Sequence, residues 1–370
     1  MPRFMIDDPT RTNPLALINT AKISAVSDVV SPVTQYLRIT GDAGLIVEPD
    51  VVVTVGDAVF KTEQTALSSA NLDSGANFIV GNDYYVYICD PGAPSLTEQY
   101  RISLNTTFPA GFTADNSRKI GGFHFGVCRR INAVMQPINT AGVERGTGWE
   151  GNIYNGILPR SIWTLLHRPK CAPEGMVYMG NGTWVDIYIM SPDGAGSLRS
   201  AHNELPATGT EGHHWMRFHE LLLTAGKRMM SWGEFLQCSV GAPAGQDNNN
   251  TNAWAQTTNT ARQRTGFVGP AVSSIGCRDT TGNVSEWLDD IVTYYDVSGA
   301  NAIGAGAWRD VVGGAQYGQA YMNSGSQARA LNAGGAWTDG VSAGPRCVVL
   351  NGTPWVVSTG IGVRGACDSL

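Results

Sequence analysis

Three histidines and a glutamate crowd one short stretch of the chain: His213, His214, His219 and Glu220. Imidazole and carboxylate groups are the usual means of holding zinc or moving protons. A zinc protease needs His-Glu-x-x-His on one helical face, but His219-Glu220 is followed by Leu221, Leu222 and Leu223. The histidines therefore read as solvated or packing residues. His124, within Gly121-Gly122-Phe123-His124-Phe125, sits in a strand-like run and reads as structural. Asp289-Asp290 offers oxygens to calcium, yet the spacing of a full calcium loop is missing, so a solvated or hydrogen-bonded acidic pair is expected. Seven cysteines are scattered without a Cys-x-x-Cys pair, and no phosphate loop or Gly-x-Ser-x-Gly elbow occurs. No catalytic residue, metal or cofactor is assigned. Buried thiols are the expectation, with a Cys347–Cys367 bridge left open.

More specific is Gly282-Asn283-Val284-Ser285-Glu286-Trp287. Gly and Asn permit a tight turn. Trp287 supplies a large buried anchor and Glu286 a partner for an arginine. These residues point to architecture rather than catalysis.

The elements that position them follow from composition and pattern. The chain has 370 residues, 42% hydrophobic and 15% charged, with 45 glycines and a formal charge of -6. Such a chain buries a sizeable core, suits a loop-rich β protein and offers no basic run for nucleic acid. No stretch reaches the roughly 18 apolar residues of a membrane span, and the first residues lack the apolar core of a secretory signal. Over 34–126 the pattern is β, with runs at 51–55 and 84–89 bounded by turn residues. A helix is expected over 215–225, with Trp215, Phe218, Leu222 and Leu223 near helical spacing and Gly226 as its stop. Ser231 and Glu234 form a capping box for a second helix that Gly241 ends. The stretch 241–265 reads as a long polar loop.

The hexapeptide at 282–287 resembles the Gly-Asn-Val-Trp-Glu-Trp motif of the formylglycine-generating subgroup of C-type-lectin folds. That subgroup ends in Gly-Gly-small-Trp, then Arg, then Gly-x-Arg. Here these are Gly334-Gly335-Ala336-Trp337, Arg346 and Gly362-Val363-Arg364. A closer resemblance, over roughly 34–370, is to phage variable proteins diversified by retroelements. It is carried by Asp83-Tyr84 through Cys89-Asp90, Arg118-Lys119-Ile120-Gly121-Gly122-Phe123-His124, Gly226-Lys227-Arg228, Glu234-Phe235 and Arg364-Gly365-Ala366-Cys367-Asp368.

The resemblance implies an α+β protein: an N-terminal antiparallel β-sandwich followed by a C-type-lectin-like domain. The expected boundaries are an arm over 1–33, the sandwich over 34–134, a linker over 135–158 and the lectin-like domain over 159–370, its variable region at about 332–370. The family's extra N-terminal β-prism is expected to have no counterpart. The implied function is receptor binding at a phage or prophage tail-fibre tip, on the virion, after synthesis in the host cytoplasm. The partner is a host cell-surface protein or glycan, bound by a homotrimer, with neither nucleic acid nor membrane insertion involved.

In that family, error-prone reverse transcription at template adenines rewrites codons near the 3′ end. Carried over by position, the variable ligand-binding side chains are those of Ala336, Thr338, Asp339, Gly340, Ser342, Val349, Asn351, Gly352, Val356, Ser358, Gly360 and Ile361. An asparagine codon randomised at its two adenines cannot encode Lys, Glu, Gln, Met or Trp. From residue 332 to 370 there is no Lys, Glu, Gln or Met, and Trp337 and Trp355 fall outside the carried-over set. Trp287, Trp337, Arg346, Trp355 and Arg364 are expected to hold the fold while the carried-over side chains face solvent.

Three other readings compete. An oxidase of the formylglycine-generating group uses copper on two nearby cysteines, whereas Cys347 and Cys367 are the only ones in this segment. A calcium-dependent sugar lectin uses Glu-Pro-Asn or Gln-Pro-Asp with Trp-Asn-Asp, none of which occurs. A fixed-specificity structural or surface protein needs no variability at these codons.

Overall fold

A computed structural model describes residues 36–92, 99–245, 251–293, 307–310, 318–322 and 328–370. The arm expected over 1–33 and residues 246–250 of the polar loop lie outside these. The chain divides into two compact units. The first comprises the residues up to Gly126, then Asn155–Pro169 and Ser369–Leu370; the second comprises Val127–Tyr154 and Lys170–Asp368. β-structure predominates. Among the described residues only two helices exceed a single turn.

The first unit uses strands β1 (Leu37–Thr40), β2 (Gly44–Val47), β3 (Val52–Val55), β4 (Ala58–Lys61), β5 (Thr65–Leu67), β6 (Asn82–Cys89), β7 (Gln99–Ser103), β8 (Ser117–Arg129), β9 (Ile153–Ile157) and β10 (Trp163–Thr164). β1, β2 and β5 form one antiparallel sheet and β3–β4 a hairpin, while β10, β8, β6 and β7 are neighbours in that order in a third sheet. Apolar residues of all three gather in one core, including Leu37, Val53, Tyr84, Val86, Ile102 and Phe123. Two glycines in β8 have a definite cause: a Cβ at Gly121 would run into the Trp163 carbonyl oxygen, and Gly122 faces the indole of the same residue. Trp163 pairs with Gly122, and a Cβ there would lie 2.8 Å from the indole nitrogen. His124 is buried, and its Nδ1 lies 2.9 Å from Oδ1 of Asp83, its cross-strand partner. The stretch 135–158, read above as a linker, contains the helical turn Trp149–Gly151 and β9, and it is shared between the units after Tyr154.

The second unit adds β11 (Met176–Gly180), β12 (Thr183–Asp186), β13 (Met190–Pro192), β14 (Leu198–Ser200), α1 (Trp215–Thr224), β15 (Arg228–Met229), α2 (Trp232–Cys238), β16 (Ser285–Thr293), β17 (Ala307–Asp310), β18 (Gln319–Met322), β19 (Ala328–Gly334), β20 (Gly344–Gly352), β21 (Ile361–Val363) and β22 (Gly365–Asp368). One sheet runs β11-β12-β22-β15 and another β17-β18-β20-β19-β16-β21. In the second, β16–β21 and β18–β20 pair in parallel.

Helix α1 buries Phe218, Leu221 and Leu222; Leu223, expected on the core face, is exposed, because the residues three and four beyond Phe218 share its face and the residue five beyond does not. The helix stops as Gly226 predicts. At φ +71° Gly226 donates its N–H to Leu223, and Lys227 donates to Leu222, the paired bonds of a Schellman cap. Ser231 and Glu234 close the capping box of α2. These helices pack Phe218, Leu222 and Met229 into one cluster with Trp287 and Val363.

The hexapeptide is architectural at every position that suggested it. A Cβ at Gly282 would sit 2.7 Å from the Trp254 carbonyl oxygen. Asn283, at φ +62°, binds both the N–H and the C=O of Gln263 through its side chain. Trp287 is in the core, and Glu286 pairs with Arg364.

Candidate functional site

The three C-terminal strands β19, β20 and β21, which carry or flank the carried-over residues, are built on that core. β19 and β20 pair antiparallel with Asn332 opposite Val349, and β21 lies beside β16. Between them run two loops. The first, after Gly335, is tied by Asp339, whose Oδ2 accepts the Ala336 N–H at 2.7 Å. Burial pushes the Asp339 carboxyl above its ordinary range, against the opposing effect of that hydrogen bond. The second loop turns where Val356 donates its N–H to Thr353. It is fastened at Ser358, whose carbonyl accepts from Gly209, and at Gly360, whose carbonyl accepts from Ser285, both at 2.9 Å. Any side chain at Gly209 would collide with the Ser358 backbone.

The strand ends and loops enclose a shallow depression of about 680 Å³. All of the carried-over positions line it except Gly340 and Ser342. Those two belong to a buried helical turn, so neither faces solvent as expected. Gly340 donates its N–H to Ala255, and the Ser342 hydroxyl bonds Oε1 of Gln319 at 3.1 Å. Thr338 and Val356 are exposed, and the remaining lining positions of the set are half-buried.

The glycines of the set differ in kind. A Cβ at Gly360 would make ordinary contacts at 3.5 Å or beyond, with Ala336 and Trp337 among its neighbours. A Cβ at Gly352 would press to 2.9 Å on the Trp287 ring.

Sequence reasoning missed Ser285, Arg329, Asn332, Thr353 and Thr359 as lining residues, and it assigned Trp337, which also lines the depression, to the fold alone. Arg329 donates through Nη1 to the Asn351 carbonyl at 3.0 Å. The pairing of β19 with β20 shifts register between Ala330 and Asn332, so the two-residue alternation that would place Arg329 and Asn332 on known faces is broken.

The expected fold-holding residues divide. Trp287 and Arg364 are fully buried and Trp337 half-buried, whereas Arg346 and Trp355 are exposed. Trp355 is 58% exposed and is followed by exposed Val356 and Val357. Its loop turns outward after the buried Pro354, leaving the indole without a core to enter.

The other candidate groups hold structure. His214 caps α1 by accepting the Arg217 N–H on Nδ1. His219 packs on Trp215 with Nε2 3.3 Å from Asp289, and Asp290 accepts the Trp232 N–H at 2.6 Å. Cys347 and Cys367 are both free thiols, so the bridge left open is not formed. Among the described residues, no three His, Cys, Asp or Glu side chains gather as a metal site, and no helix is long and apolar enough to cross a membrane. A second cavity, of about 730 Å³, lies among Trp232, Leu236, Val240, Pro345 and Val348, away from the depression.

Comparison with known proteins agrees with this architecture. Residues 35–150 match the family described as the Mtd second domain. A tail fiber receptor-binding protein of Bordetella phage BPP-1 is 26% identical over 382 residues, spanning 96% of this chain and 86% of its own length. The solved structures of the Major Tropism Determinant U1 and P3c variants superpose with a TM-score of 0.65 each, at 23% and 24% identity, covering 90% of this chain and 83% of theirs. Residues 35–150 thus match the Mtd second domain, and the chain as a whole is similar to a phage tail fiber receptor-binding protein and shares the C-type-lectin-like fold of the Major Tropism Determinant variants.

Proposed function

We propose that this chain is a phage receptor-binding adhesin whose second unit displays a retroelement-diversified face. The observation that carries the reading is the gathering of ten of the carried-over positions in one solvent-open depression, with Trp287 and Arg364 buried in the domain core. The exposed positions Thr338 and Val356 tolerate rewriting most freely, since exposed sites away from caps and cores change stability by only about 0.5 kcal/mol, while the half-buried ones tolerate it within the space each has.

The action is contact rather than catalysis. The present side chains are mostly small and polar, which makes single contacts weak. Trp337 lines the depression and Trp355 stands exposed beside the lining residue Val356, and tryptophan is among the residue types most enriched among energetic anchors of interfaces. In this reading the protein is α+β, an N-terminal β-sandwich followed by the lectin-like domain. It works at a tail-fibre tip of the virion, as a homotrimer whose repeated weak contacts to a host surface molecule add through avidity.

The test is deep sequencing of the 3′ end of the gene and the DNA downstream in a growing phage population. Substitutions confined to the carried-over codons, arising at adenines of a nearby template copy, are the expected result. An invariant 3′ end without a template copy would overturn the diversified face and leave a fixed-specificity adhesin.

A further inference from the structure

Among the residues that line the depression, Arg329 and Asp339 are the charged ones. Asp339 is committed to its own loop through the Ala336 N–H and is half-buried. Arg329 is different. It is half-buried at the end of β19, and among the described residues its side chain bonds a single group, the Asn351 carbonyl, with no carboxylate beside it. A guanidinium carries five N–H donors in a planar fork. One is used here, so the rest of the half-buried fork faces the open depression with no carboxylate in contact among the described residues.

Around it are hydroxyl and amide groups: Ser285, Thr338, Asn351, Thr353, Ser358 and Thr359. Their donors and acceptors match a polyhydroxylated ring. Arg329 also lies outside the carried-over set, so the charge stays when the surrounding side chains change.

We propose that Arg329 is a fixed anion-binding residue of the receptor face, and that its ligand is the carboxylate of an acidic sugar on a cell-surface polysaccharide. The inference rests on the receptor-face reading and names the chemistry the face selects. A carboxylate matches the guanidinium fork with two parallel hydrogen bonds, stronger than neutral ones, while the ring hydroxyls engage the surrounding polar side chains. A neutral sugar leaves the guanidinium unpaired, which costs the site its main charge-assisted contact.

The experiment is titration of the full chain with D-glucuronate, D-glucose and N-acetyl-L-glutamate, followed by NMR of arginine Nε–H resonances assigned through the Arg329→Ala variant. Glucuronate is expected to shift the Arg329 resonance saturably, about tenfold more tightly than glucose, and less tightly as salt is raised. Arg329→Ala, checked for an unchanged melting temperature, is expected to bring glucuronate down to the glucose level, and Arg329→Lys to recover part of the difference. Equal affinity for glucuronate and glucose, or full glucuronate binding by Arg329→Ala, would overturn the proposal. N-acetyl-L-glutamate binding as well as glucuronate would overturn the sugar and assign the site to acidic protein side chains. Cell adsorption separates the two readings. If Val356→Asp and Ser358→Asp leave adsorption unchanged, the receptor face itself falls, whatever the titration shows. If they abolish it while Arg329→Ala adsorbs normally, the face stands and the anion site falls.

Discussion

Arg364 and Glu286 form a fully enclosed, two-pronged ion pair, Nε to Oε2 at 2.9 Å and Nη2 to Oε1 at 2.6 Å. The rest of the guanidinium is equally committed. Nη1 donates to the carbonyls of Asp186 and Ile187, and Nη2 also to that of Arg278. All five donors are thereby matched, in a residue with no solvent exposure. The pair joins β16 to the link between β21 and β22.

Removing one partner strands the other charge in the core. Arg364→Ala and Glu286→Ala are each expected to destabilise the second unit by about 3–5 kcal/mol. Arg364→Lys will not restore it, since an ammonium has three donors and no planar fork. Urea unfolding followed by tryptophan fluorescence measures both effects, and a loss below about 1 kcal/mol for either alanine variant would contradict this account.

The two glycines of the receptor face should respond oppositely. Gly352→Ala drives a methyl into the Trp287 ring and is expected to cost about 1–3 kcal/mol, as overpacking does. Gly360→Ala meets only ordinary contacts and is expected to stay within about 0.5 kcal/mol. Thermal melts of the two variants side by side decide the matter.

Trp355→Ala is expected to leave stability within about 0.5 kcal/mol, because the ring is largely in water. On the receptor-face reading it should weaken adsorption by about tenfold or more, as loss of an aromatic anchor does. A destabilised variant would return Trp355 to the fold, and normal adsorption would remove it from the face.

Acid stability has an identifiable contributor. Burial pushes His167 down to about 4 from an ordinary 6.5. The unfolded chain therefore takes up a proton that the folded chain refuses. The stability gained from keeping the ring neutral is fully present above pH 6.5 and is lost as pH falls toward 4, by up to about 3 kcal/mol. His167→Phe should flatten the stability profile in that window. Below it, Glu211 and Glu234 act in the same direction. Although burial opposes their charge, hydrogen bonds from Arg262 and Arg228 and from backbone amides outweigh it and hold both carboxyls below their ordinary range. Their contribution is present above about pH 4.5 and lost on further acidification.

Much of this was legible in the residues themselves. Ser231 and Glu234 announced a capping box, Gly226 a helix stop, and Gly282-Asn283 a tight turn, because each acts through backbone geometry within a few positions. Glu286 announced a need for an arginine, but only the fold shows that Arg364, far along the chain, answers it. The placement of Trp355 was not legible, since a tryptophan beside a proline reads as a core anchor until the loop's direction is known. Arg329 was hidden by the register shift in β19, which removes the alternation that would have turned it toward the depression. Leu221 and Leu223 were interchangeable in a run of three leucines until the helix phase was fixed.

The chain passes from Ile361, on the lip of the depression, to Arg364, with every donor spoken for, in three residues. Tolerance to change therefore narrows over three codons, from a half-buried residue on the lip to a fully buried one. Any process that rewrites the gene as far as Ile361 must regain full copying fidelity almost at once. Its accuracy at that boundary, rather than the number of sequences it can generate, sets the fraction of progeny that fold.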